Sequence, residues 1–209
     1  MPPPDLQQYL GRARDLNTRY QGGGSAAFDA FRELAQFILS LTVMAPGSGL
    51  LLQRGPRREI NNVVGRIGTD RIRLSNGLWL RVLIQLYLDR ADGDKLKVSK
   101  SLFQYQLDED AEHWGFRYDY IRDPKDEHPS AHIQIKGTLT EAGIVPVRGT
   151  LERVHFPTGR VGLEAVVRLL VEQFGLETNE PMAIWRPVLA ETESAFLKIA
   201  HRALSGPNT

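Results

Sequence analysis

The 209-residue sequence has no cysteine, which excludes disulfides, thiolate metal sites and cysteine nucleophiles. It has no long hydrophobic run either. Apolar stretches are interrupted well short of the ~18 positions that a membrane-crossing helix needs, so no membrane partner is expected. The first residues, Met1-Pro2-Pro3-Pro4-Asp5, lack the basic start and apolar middle of a secretory leader, and the expected location is cytoplasmic. Repeats, heptads and low-complexity tracts are missing as well. An excess of one charge sign is nearly absent, with 26 basic and 25 acidic residues. What remains, 42% apolar and 24% charged, suits one domain over residues 1–209.

The charge is balanced overall but not locally. Residues 50–81 carry seven arginines against two acids, Glu59 and Asp70. Such an excess attracts phosphate backbones, so Arg54, Arg57, Arg58, Arg71 and Arg73 are candidate nucleic-acid contacts, with RNA the expected partner. A solvated arginine-rich surface is the alternative reading.

Hydrophobic spacing predicts an α+β chain. Residues 1–45 read as a helical pair, one helix with Leu6, Leu10, Ala13 and Leu16 inward after Asp5, the other with Phe28, Leu34 and Ile38 inward after Ser25. Gly22-Gly23-Gly24 separates them as a linker, since it follows a helix and lacks the lysine of a phosphate loop. From 59 to 156 the pattern becomes short, turn-linked strands, which predicts an antiparallel, meander-like sheet of five to seven strands. Between Lys95 and Leu107 the apolar phase slips from Leu96/Val98 to Phe103/Tyr105, the mark of a bulge. Residues 158–205 read as a second helical pair, started by Thr158 or Gly159.

Period-two alternation assigns faces. In Phe116–Tyr120 the aromatic side chains point one way, into a core, and Arg117 and Asp119 the other. By the same rule His132, Gln134 and Lys136 share a face, as do Arg153 and His155. If these strands are neighbours, one surface gathers a set suited to phosphodiester cleavage without metal. One imidazole, His132 or His155, takes the 2′-hydroxyl proton and the other protonates the leaving oxygen, while Lys136 and Arg117 steady the growing charge and Asp119 orients a ring. Thr158, Gly159, Arg160 and Arg153 would bind phosphate where a strand ends and a helix begins. His128 and His132 are four apart, but Pro129 between them rules out the helix that a metal pair needs, so neither metal nor cofactor is expected. A polar, solvated sheet face with no catalysis is the bland alternative.

The stretch from Leu88 to Gly137 resembles the TumE-type toxin family of bacterial toxin–antitoxin modules. The likeness lies in Asp92-Gly93-Asp94-Lys95-Leu96-Lys97-Val98, in Phe103-Gln104-Tyr105, in Phe116-Arg117-Tyr118-Asp119 and in His128-Pro129-Ser130-Ala131-His132. Gln134 stands where a further histidine is expected, and the chain is longer than a typical member. The resemblance implies a cytoplasmic growth inhibitor neutralised by an antitoxin protein, with Arg117, Asp119, His128 and His132 at the matched positions. Two functions follow: a toxin-like, metal-independent endoribonuclease of a toxin–antitoxin or phage-defence module, or a non-catalytic nucleic-acid- or protein-binding module of a defence or regulatory system.

Overall fold

The structure, a computed structural model, describes residues 5–55, 60–66, 70–125, 129–137 and 154–200. Among these, helices α1 (Leu6–Gln21) and α2 (Ala26–Leu41) precede strands β1 (Leu50–Arg54), β2 (Ile60–Gly65), β3 (Arg71–Arg73), β4 (Trp79–Asp89), β5 (Lys95–Gln106), β6 (Trp114–Ile121), β7 (Ala131–Ile135) and β8 (Phe156–Pro157). Helices α3 (Leu163–Glu172) and α4 (Met182–Ala200) follow. The strands form one antiparallel sheet in the order β1-β2-β4-β5-β6-β7-β8, with β3 on the stretch of β4 beyond β2. The α+β meander is as the pattern predicts, with β1 added ahead of the expected start at residue 59. No described helix is long and apolar enough to cross a membrane.

All four helices pack on one face of the sheet. Leu80, Val82, Ile84, Phe103, Tyr105, Phe116, Tyr118 and Tyr120 point into this layer and meet Leu16, Phe28, Ile38, Val167, Leu170 and Leu189 from the helices. Each such aliphatic or aromatic side chain contributes about 1.5–3 kcal/mol by leaving water. The bulge falls at Ser99: Gln85 pairs Lys100 while Leu86 pairs Val98, leaving Ser99 unpaired. Its hydroxyl donates to the Gln85 side-chain oxygen at 2.9 Å. This extra residue lets both Leu96/Val98 and Phe103/Tyr105 face the helices.

The helix starts differ from expectation. Neither Asp5 nor Ser25 caps its helix with a side-chain hydrogen bond. Helix α3 begins at Leu163 behind Gly162, not at Thr158 or Gly159, because residues 158–161 form an irregular strap held by the Tyr118 hydroxyl. Helix α4 starts before Pro187 and carries it internally, so the proline removes one donor from the helix ladder without ending it.

Candidate active site

The face of the sheet turned away from the helices carries the polar residues. Register fixes one row across the strands: Arg71 opposite Arg81, Arg81 opposite Gln104, Gln104 opposite Arg117, and Arg117 opposite Gln134. The Gln134 amide nitrogen then lies 3.4 Å from His155 Nε2, so the row ends on a histidine. With strands spaced about 4.8 Å apart, these six positions span roughly 24 Å. A second row runs beside it through Val64, Leu83, Leu102, Asp119 and His132, turning from apolar to polar at β6.

The two rows converge at β6–β8. The His132 and His155 rings meet edge to face with centroids 4.4 Å apart. His132 Nδ1 lies 3.1 Å from the Pro129 carbonyl oxygen, which can only accept, so Nδ1 donates and Nε2 is the working nitrogen. That Nε2 faces Asp119 Oδ2 at 3.8 Å. Arg117 donates through Nε to the same Asp119 oxygen at 2.7 Å and through Nη2 to the Gln134 side-chain oxygen. The amide orientation is therefore settled: Gln134 accepts from Arg117 and donates to His155. Asp119, His132 and Gln134 are each less than a tenth exposed, while Arg117 and His155 are half-buried.

Other candidates are placed elsewhere. Lys136 is exposed at the far end of β7, where its ammonium donates to the Glu112 carbonyl and lies 6.0 Å from the Trp114 ring centre. Arg160 is on the opposite face of the sheet from His155, its guanidinium 4.6 Å from the centre of Tyr120, a ring of the helix-side layer. Thr158, Gly159 and Arg160, expected to bind phosphate at a helix start, thus lie ahead of that start, which is at Leu163. After Pro157 the chain crosses the sheet edge, and Tyr118 seizes the strap, accepting from Val161 N–H at 2.7 Å and donating to the Gly159 carbonyl at 3.3 Å. Thr158 N–H is spent on Ala131. At the real start of α3 the place is taken by the protein's own Glu164, whose carboxyl accepts from its own backbone N–H. Arg153 and His128 lie outside the described residues.

The expected arginine patch divides between faces. Arg71 stands on the outer face beside Arg81, and Arg73 stacks over Trp79 at 4.5 Å. Arg54 instead reaches the helix side and pairs with Asp29 of α2 at 3.0 Å. Arg57 and Arg58 lie outside the described residues. Alternation along β4 and β5 places two residues on the outer face that charge counting overlooks as site members, Arg81, paired with Asp70 at 2.9 Å, and Gln104. Among the described residues no three metal-ligating side chains cluster.

The arrangement holds two imidazoles in contact, one beside a carboxylate and the other beside an amide, with a guanidinium linking both partners. It can take up a proton at one ring and release one at the other. No family model matches the chain, and no curated protein and no solved structure matches it either.

Proposed function

We propose that the chain is a metal-independent endoribonuclease acting through His132 and His155. The observation that carries this reading is the contact between the two imidazoles at the end of the Arg71–His155 row. In the proposed step, His132 Nε2 takes the proton of a ribose 2′-hydroxyl. The 2′-oxygen forms a bond to phosphorus and the bond to the 5′-oxygen breaks. Protonation of His155 at Nε2 displaces the Gln134 amide, and that Nε2–H supplies the proton to the leaving oxygen, giving a 2′,3′-cyclic phosphate and a free 5′-hydroxyl. Asp119, which faces that same Nε2 at 3.8 Å, stabilises the imidazolium formed at His132 by charge, while the Pro129 carbonyl holds the ring from behind at Nδ1. Arg117 lies where charge grows on the phosphoryl oxygens. The row of Arg71, Arg81 and Arg117 is suited to a single strand crossing the sheet.

The likeness of residues 88–137 to TumE-type toxins supports a cytoplasmic toxin whose growth inhibition an antitoxin relieves. The test is cleavage of RNA by the full chain and by His132→Asn and His155→Ala. The expected result is cyclic-phosphate ends from the parent chain, and a loss of about 10²-fold or more in either variant with folding and RNA affinity kept. Cleavage that survives both substitutions overturns the reading.

A second reading, a module that grips RNA without breaking it, is favoured by burial and pairing. His132 is 6% exposed, and Arg117 and Arg81 are already engaged by Asp119 and Asp70. Salt-sensitive binding with the RNA left intact selects it.

A further inference from the structure

Behind the sheet, between its inner face and the helices, lies a cavity of about 40 Å³. It is lined by Leu34, Ala35 and Ile38 of α2, by Phe103, and by Arg160 and Glu164. That volume holds roughly three water-sized positions, which is room for a short hydrocarbon chain. Its walls are mainly apolar, so water gains little there.

Arg160 is the unusual member. The Tyr118 hydroxyl holds the backbone on either side of it, at Gly159 and Val161, and so aims the side chain inward. Its guanidinium is clamped between two rings, 4.6 Å from the centre of Tyr120 and 4.9 Å from that of Phe196. Among the described residues Arg160 is in no ion pair: the ionisable groups that act on it are Tyr87, Tyr118, Tyr120 and Arg122, and Glu164 lines the same cavity. Burial lowers its affinity for its own proton, which measures how poorly its charge is compensated. The cavity's other ionisable wall, Glu164, is pushed up to about 7 by burial and is held by its own backbone N–H. A buried cation at the rim of a small apolar space is the complement of a small apolar anion.

We propose that this cavity binds a short-chain monocarboxylate, its carboxylate forked onto Arg160 and its tail between Phe103 and α2. One planar guanidinium matches one carboxylate in charge and geometry. A phosphate dianion asks for more donors than the clamp offers, and an uncharged ligand leaves the cation as it was. The site lies on the opposite face from the histidine pair and stands independently of the nuclease reading.

The test is an NMR titration of the full chain with butanoate, using butan-1-ol as the uncharged match. Saturable shifts at Ala35, Phe103 and Arg160 are expected with the acid and not with the alcohol. Arg160→Met is expected to weaken butanoate by about tenfold or more. Ala35→Leu, which fills the cavity and keeps the guanidinium, is expected to abolish binding, and it serves as the independent measure if Arg160→Met does not fold. Equal shifts from acid and alcohol overturn the proposal. So do parent-like binding in Arg160→Met or Ala35→Leu, and absence of saturable shifts up to about 10 mM.

Discussion

At the scale of single residues, the buried polar groups set the energetics. Arg117 serves Asp119 and Gln134 at once, so it compensates two acceptors that have little contact with water. Glu164 is a different case. It is 5% exposed, and burial raises its pKa from 4.5 to about 7. Tyr20 of α1, Thr192 and Glu193 of α4, Arg168 of its own helix and the cavity's Arg160 are the polar groups around it. In the interval between those two values the folded chain holds a proton that the unfolded chain has released. The contribution of Glu164 is therefore best below the unfolded value, declines as pH rises through the interval, and levels off above about 7. The gap is worth roughly 3 kcal/mol. Glu164→Gln keeps the shape and removes the titration. It is expected to be more stable than the parent near pH 8, by up to about 3 kcal/mol, and little different near pH 4. Urea unfolding at the two pH values checks this. An unchanged difference between them refutes it.

At the scale of elements, the turns and strap decide where side chains go. The glycine triplet between α1 and α2 is more than a linker. Gly24 N–H donates to the Asp94 carbonyl in the β4–β5 turn at 3.0 Å. Gly23 sits at φ 79°, and a Cβ there would come within 2.7 Å of that same carbonyl oxygen. Gly23→Ala is thus expected to cost about 1–3 kcal/mol through strain and lost docking of the helical hairpin. Gly24→Ala, equally left-handed at φ 71° but with open space around it, is expected to cost only the backbone strain of about 1 kcal/mol. Thermal unfolding of the two variants separates docking from strain, and equal costs would show that the close approach contributes nothing. The strap from Thr158 to Val161 works by similar means, since the Tyr118 hydroxyl rather than any helix cap determines its path.

At the scale of the whole molecule, the sheet keeps two chemistries apart. Its outer face carries the arginine row and the histidine pair, and its inner face carries the cavity and Arg160. Arg54 and Arg71 are close in sequence yet lie on opposite faces. This yields a test of the outer face as the RNA surface. Arg71→Ala and Arg73→Ala are each expected to reduce the slope of log affinity against log salt by about 0.7 for single-stranded RNA, one phosphate contact apiece. Arg54→Ala, tied to Asp29 on the helix side, is expected to leave it unchanged. A slope lowered by Arg54→Ala and not by the other two would place RNA on the wrong face for the histidines.

Much of this was legible in sequence because a pleat has a period of two. Alternation in Phe116–Tyr120 and His132–Lys136 places Arg117, Asp119, His132 and Gln134 on one side without knowledge of any neighbour, and the slip of apolar phase marks the bulge at Ser99. Residues outside regular strands have no such rule. Arg160 took its face from a partner 40 positions away, the Tyr120 ring, and Arg54, the last residue of β1, took its side from the pairing of β1 with β2, which brings it to the Asp29 carboxylate. The meeting of His132 with His155 likewise depends on β7 pairing β8. By itself the sequence determined local periodicity, and so element type and sidedness, because these follow from short-range sterics. Which faces met, which charges were buried and where the strap crossed were decided only in the tertiary structure, because non-local pairing and desolvation act between groups that the order of residues leaves unrelated.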